Sequence, residues 1–279
     1  DATIGLVTVT SSSISGAQAA VATALGKPST EIAGLDAINV TLTDAERTVA
    51  QVNTIEGLTT GTITHTGTIS DNDMTTLSGL AGSGNAYTIT VANTSVSVAS
   101  IDAGALNVLN GKVTSPITVA GTIITGALSD LTTLYAANTA GEFTGLGDEA
   151  IILSDTGSVL ASELNELNRL TTGVVTLTGS VTVTGSVADI KTAYASNTAG
   201  TINGLGNEAI TVSSSEIISS SDLTDLKALT TGVVTASLTG SSISASALNT
   251  ADANTAQSVL AGVVATLTGT AAEVNTAYA

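Results

Sequence analysis

The sequence has no cysteine and no tryptophan, and only one phenylalanine, one histidine and two prolines in 279 residues. Without cysteine there are neither disulfides nor thiolate metal sites. Aromatic residues make up 2% of the chain, too few to anchor the thick core and ring-lined pocket usual in a globular enzyme. Positive charge is the other shortage. Six Lys and Arg stand against 23 Asp and Glu, a formal net charge of −17. Phosphate backbones need a basic surface, which argues against nucleic acid as a partner, and anionic membrane surfaces fail on the same ground. Divalent cations remain conceivable partners, although acidity also serves simply to keep a protein dissolved. No stretch approaches the roughly 20 uninterrupted apolar residues of a membrane-spanning helix.

Catalytic groups are equally scarce. His65, in TITHTGTIS, has no second histidine or cysteine with which to share a metal or a proton relay. Its threonine neighbours predict a solvent-facing strand position. No Gly-x-Ser-x-Gly stretch supplies a nucleophile elbow. The chain therefore reads as non-enzymatic, with no catalytic and no cofactor-binding residue assigned.

What is present is repetition. NTAGTINGLGNEAITVSS (197–214) restates NTAGEFTGLGDEAIILSD (138–155), and LTTGVVT occurs at both 170 and 229. The segment 6–42 follows the same plan with GLDAINV in place of GLGNEAITV. Fixed-period similarity of this length marks an array in which each unit buries its apolar face against the next. Alternation of β-branched residues with threonine, as in Ile89-Thr90-Val91, Ile117-Thr118-Val119 and Val175-Thr176-Leu177, predicts strands with one buried face.

Helices are expected where apolar residues recur every third position: Val49/Val52/Ile55, Met74/Leu77/Leu80, Leu128/Leu131/Leu134, Leu164/Leu167/Leu170 and Leu223/Leu226/Leu229. Such a stripe seals one side of a flat coil. Thr43-x-x-Glu46, Ser186-x-x-Asp189 and Thr270-x-x-Glu273 predict helix N-termini by the capping pattern. Expected helix starts fall near 15, 43, 70, 99, 128, 161, 186, 220, 246 and 270. The fold class that follows is α/β: a right-handed solenoid of parallel, β-helix-like coils, each strand, corner, strand and helix, about ten coils in all. Residues 1–279 read as one continuous array, an excerpt or a subunit with uncapped ends, whose segments 1–14 and 264–279 would carry contacts to neighbours.

Four carboxylates are candidates for a Ca²⁺ ion: Asp71 and Asp73 in SDNDM, and Glu149 and Glu208, which recur at equivalent places in GLGDE and GLGNE. The spacing of a calcium loop is missing around Asp71 and Asp73, which fit helix capping at least as well. The glycines of GLGDE and GLGNE precede a strand rather than a helix, so they are turn glycines and not a dinucleotide fingerprint. Asn39-Val-Thr and Asn93-Thr-Ser are glycosylation acceptors by pattern.

LTGTAAEVNTAYA, GLGNEAITVSS, TISDNDMTTLSGLAGSGNAYTITV and LNVLNGKVT resemble repeats of very large surface or secreted, adhesin-like proteins of marine cyanobacteria and related bacteria. The resemblance extends over essentially the whole chain. It implies an extracellular or cell-surface location and a structural or adhesive role, with copies of the chain itself as partners end to end. The expected function is a filament, sheath or surface layer assembled head to tail. The alternative is a rod segment of a giant adhesin or phage fibre whose binding domain lies elsewhere.

Overall fold

A computed structural model describes residues 5–92, 100–213, 216–238, 243–246, 249 and 267–277. The chain divides into two compact units, residues 1–125 with 133–146 and residues 126–132 with 147–279. The protein is mixed α/β, with several parallel sheets and nine helices among the described residues. No sheet among the described strands closes into a barrel.

In the first unit, strands β1 (Val7–Thr8), β2 (Ser13–Gly16), helix α1 (Gln18–Leu25), β3 (Ile32–Ala33), β4 (Asn39–Leu42) and β5 (Glu46–Arg47) come first. They are followed by α2 (Val49–Glu56), β6 (Ile63–Ile69), α3 (Met74–Leu77), β7 (Ala86–Val91), β8 (Ile101–Asp102) and α4 (Ala103–Asn110). Next come β9 (Ile117–Val119), β10 (Ile123–Gly126), α5 (Leu128–Thr139) and β11 (Phe143–Thr144), with the unit boundary falling within β10 and α5. One parallel sheet runs β11-β9-β7-β6-β4-β2, and β5 also pairs β6. Parallel neighbours need a crossover connection. Here the partners stand some 20 to 28 residues apart, from Thr68 opposite Thr88 to Ile89 opposite Ile117.

The second unit repeats the plan with β12 (Ala150–Leu153), β13 (Ser158–Leu160), α6 (Ala161–Leu170), β14 (Val175–Leu177), β15 (Thr182–Gly185), α7 (Val187–Ala199), β16 (Ile202–Asn203) and β17 (Ala209–Val212). Then follow β18 (Ile217–Ile218), α8 (Ser220–Leu229), β19 (Val234–Thr235), β20 (Ser237–Leu238), β21 (Ile243–Ser244), β22 (Leu267–Thr268) and α9 (Ala271–Ala277). Its registers alternate: Ile151 meets Val175 24 residues on, and Val175 meets Ile202 27 on. Likewise Thr182 lies 24 after Ser158, and Ala209 27 after Thr182. The longer step is the one that carries the NTAG loop.

The strand alternation sets the core. Tyr87, Ile89 and Val91 on β7 are fully buried while Thr88 is exposed. Val175 and Val183 are buried and their threonine neighbours are half-exposed. Helix stripes meet them from the other side: Val49, Val52 and Ile55, then Leu128, Leu131 and Leu134, are buried, as are Leu164, Leu167, Leu223 and Leu226. Leu170 and Leu229, the third members of their stripes, are half-buried. This thin sandwich of aliphatics needs few aromatic rings, which is how a chain with so few of them builds a core.

Two of the three expected N-caps are present. Ser186 accepts from Asp189 N, and Thr270 and Glu273 hold each other's backbone N–H groups. The third is not a helix start. Thr43 N bonds Gly16 O, and Glu46 and Arg47 pair with Thr68 and Ile69 as a strand. Helix α2 begins six residues after Thr43, with Thr48 and Gln51 as its capping box. A neighbouring carboxylate does cap a helix, but the preceding one: Asp44 Oδ2 accepts from Gln18 N at 2.7 Å, at the start of α1. Of the outer segments expected to carry contacts, residues 1–4, 264–266 and 278–279 lie outside the described residues, as do Asn93-Thr94-Ser95 and the helix start expected near 99.

Candidate functional site

The most distinctive local structure is the corner written GLGNE. Gly204 holds φ +97°, and a Cβ there would lie 2.3 Å from Leu177 O. Only glycine permits that approach. The chain then turns so that Glu208 folds back on its own backbone: its Oε2 accepts from Gly206 N at 2.8 Å and from Asn207 N at 3.0 Å. Glu149 repeats the arrangement, accepting from Gly147 N at 2.7 Å and Asp148 N at 3.1 Å. Both residues are buried, at 1% exposure for Glu149 and 6% for Glu208. In both, Oε1 is shut off from solvent and has no hydrogen-bond partner.

A threonine clasp ties each corner to the strand that follows. Thr171 Oγ1 donates to Glu149 O at 2.7 Å and accepts from Gly173 N at 2.9 Å. Thr230 does the same between Glu208 O, at 2.6 Å, and Gly232 N, at 2.9 Å. In the first unit Thr59 joins Ile38 O, at 2.8 Å, to Gly61 N, at 3.0 Å. Ile38, buried at 3%, therefore occupies the place of Glu149 and Glu208. The corner closes equally well around an aliphatic residue, so the glutamate is not what makes the turn.

Beside the Glu208 corner lies an open groove of about 660 Å³, walled by Leu177–Val181 and Gly204–Ala209. Its counterpart at the Ile38 corner, about 420 Å³, is lined by Ser11, Ser12, Gly34 and Asp36–Asn39.

Asp71 and Asp73 have other work. Asp71 Oδ2 accepts from Val49 N at 2.6 Å, at the start of α2. Asp73 is the N-cap of α3 and accepts from Thr76 N at 2.9 Å, a bond that holds its carboxyl below the ordinary range. The two belong to the first unit and the two glutamates to the second. Among the described residues no three His, Cys, Asp or Glu side chains converge as a metal set.

The first unit also contains a buried polar cluster that the sequence does not advertise. His65 is 5% exposed, not solvent-facing as its threonine neighbours suggest. It shares the inward parity of Ile63 on β6, while Thr64 between them is exposed. His65 Nε2 lies 3.2 Å from Asp44 O. A carbonyl can only accept, so Nε2 carries the proton and Nδ1, which has no partner, is left with its lone pair. Burial, helped by the Arg47 charge, pushes the imidazole below its ordinary value against the opposing Asp44 contacts. Arg47, 2% exposed, pairs with the Asp44 carboxylate. The Tyr87 ring stands 6.4 Å from His65, centroid to centroid. Its hydroxyl donates to Glu56 Oε1 at 3.3 Å, and Asn85 Nδ2 donates to the same oxygen. Burial raises Glu56, and burial beside Glu56 raises the Tyr87 phenol. The signal in the sequence was parity: Ile63 and His65 are two apart, and period-2 counting puts both on one face.

No family model matches the chain, no curated protein matches it, and no solved structure matches its fold.

Proposed function

We propose that the protein is a non-enzymatic structural element: one right-handed α/β solenoid over residues 1–279, acting outside the cell or at its surface, joined end to end with copies of itself into a filament, sheath or layer. The observation that carries this reading is what the repeated phrase does. The threonines and glycines that recur are spent on bonds from one strand step to the next, at a spacing that recurs with them. Groups repeated for chemistry would converge on a substrate; groups repeated for stacking bond to their neighbours in the array. Low aromatic content and thin layers suit the same purpose.

Parallel edges give such an array its means of continuation. Among the described residues β1 pairs only β3, and β2 pairs only β4. Leu6 and Val7 beside that edge are 58% and 43% exposed. Unpaired strand edges invite pairing by another chain.

Negative-stain microscopy of the purified chain, with sedimentation over a concentration series, tests the proposal. Fibres or sheets whose length grows with concentration support it. A chain that stays monomeric at every concentration overturns it in favour of a rod segment within a larger adhesin or phage fibre.

A further inference from the structure

We propose that Glu208 and Glu149 are each the anionic ligand of a Ca²⁺ ion held at its glycine corner. A carboxylate this deeply buried is expensive unless its charge is met. In both residues Oε2 takes two backbone N–H groups while Oε1 takes nothing. Neither forms an ion pair among the described residues, where Lys27, Arg47, Arg169 and Lys191 pair with Glu31, Asp44, Glu166, Asp222 and Asp225, and Lys112 and Lys227 donate to backbone carbonyls, Lys227 to Gly232 O. The same oxygen is left over twice, in two corners of the same geometry, so it is a property of the repeat and not an accident of one loop. At the third corner of this shape the residue is Ile38, which needs no counter-charge. The carboxylate is thus an addition to the corner and not a condition of it.

The surroundings favour a hard cation. Glu208 forms part of the wall of the 660 Å³ groove, where Thr178, Ser180 and Asn207 add oxygen-bearing side chains and Gly206 brings bare backbone. There is no sulfur and no imidazole there. Ca²⁺ accepts six to eight oxygens in loose geometry, including carbonyls and water, whereas Mg²⁺ demands a tight octahedron. One carboxylate among neutral oxygens places the site at the weak end of calcium affinities, with a dissociation constant on the order of 10⁻⁴–10⁻³ M. This inference does not depend on end-to-end assembly. A monomeric rod could bind the ion equally well.

The test is a Ca²⁺ titration of the intact chain at constant ionic strength, so that screening of its negative charge is not read as binding. Calorimetric stoichiometry and the thermal midpoint are both followed. The expected result is two ions bound and a midpoint that rises with Ca²⁺. Glu208→Gln and Glu149→Gln should each remove one ion, and the double variant should show no calcium-dependent rise. Glutamine keeps an oxygen for the two N–H groups and removes the charge. If a glutamine variant does not fold, Glu208→Ile and Glu149→Ile take its place, since Ile38 shows that the corner accepts isoleucine. The proposal fails if calcium leaves the wild-type midpoint unmoved at about tenfold above the expected dissociation constant. It fails equally if the double variant binds as many ions as the wild type.

Discussion

Asp155 Oδ2 accepts a hydrogen bond from Leu128 N at 2.8 Å, reaching across 27 residues to the first N–H of helix α5. Three other carboxylates do the same: Asp44 for Gln18, Asp71 for Val49, and Glu216 for Val187. Each helix N-terminus so capped has unsatisfied donors and a positive dipole end, and the neutralising group comes from the strand step that follows it. Much of the acidity of this chain is therefore internal scaffolding. The cap also couples one step to the next, because neither helix nor corner is complete alone.

Asp71→Ala should accordingly destabilise the fold by about 1 kcal/mol, the usual cost of losing a cap. Asp71→Asn, which keeps an acceptor oxygen, should cost a small part of that. Denaturant midpoints at neutral pH, with equal slopes, check it. A calcium effect on stability that disappeared in Asp71→Asn would instead assign Asp71 to a metal site.

His65 makes a pH prediction with a clean attribution, since it is the sole histidine. Its imidazole is held below the ordinary value of about 6.5, chiefly by burial. The unfolded chain then takes up protons more readily than the folded one at mildly acidic pH, so stability is full above pH 6.5 and declines as pH falls through and below it. Protonation would place a charge on buried Nδ1 in the field of Arg47. Glu56, raised by burial, works in the opposite direction at lower pH and does so with or without His65. The thermal midpoint of the wild type should fall between pH 7 and 5 while that of His65→Gln stays level, whatever its absolute value. Parallel curves would show that His65 is not the titrating group.

Much of the architecture is legible in the sequence because its causes are local. Thr88 and Thr90 alternate with Tyr87, Ile89 and Val91, and Ser186 sits three residues before Asp189; both patterns are fixed by backbone geometry within a few residues. The misplaced helix start at Thr43 has a non-local cause. Thr43-x-x-Glu46 looks like a helix beginning, and Asp44 within it does cap a helix, but α1 rather than its successor. Spacing within a segment carries no record of which strand step a side chain reaches. The site divides in the same way. The recurrence of Glu149 and Glu208 is plain in the sequence, whereas the leftover Oε1 depends on where two backbone N–H groups point after the turn has formed. His65 is a matter of parity, which its neighbours' polarity hides and its distance from Ile63 reveals.

Close backbone approach gives a third prediction. A Cβ on Gly173 would lie 2.2 Å from Glu149 O, and one on Gly232 would lie 2.2 Å from Glu208 O. Neither neighbour is a flexible tip, so the strand must move. Gly173→Ala should cost about 2 kcal/mol, in the range of overpacked cores. A methyl on Gly157 would meet nothing within 4 Å, so that position should accept alanine within about 0.5 kcal/mol. Comparable losses at both positions would mean that the corner is looser than described.

Neighbouring threonines supply the sharpest comparison. Thr171 is buried, and its hydroxyl both donates to Glu149 O and accepts from Gly173 N. Thr172 is exposed, and its hydroxyl makes only a 3.4 Å contact with Gly147 O. The two share propensity and size, and both lie in the turn between α6 and β14, so the hydrogen bonds lost to valine are the main difference besides burial. Thr171→Val should cost about 1–3 kcal/mol, because it strands a half-buried N–H and a buried carbonyl. Thr172→Val should be near neutral, its backbone N–H to Gly147 O being untouched. Thr171→Ser keeps the hydroxyl and should recover most of the loss, less the burial of one methyl, about 0.8 kcal/mol. Thr230→Val should match Thr171→Val, and the double variant should lose the sum, since the two clasps share no partner. A large loss at Thr172, or a serine no better than valine at Thr171, would show that packing rather than the clasp holds the corner.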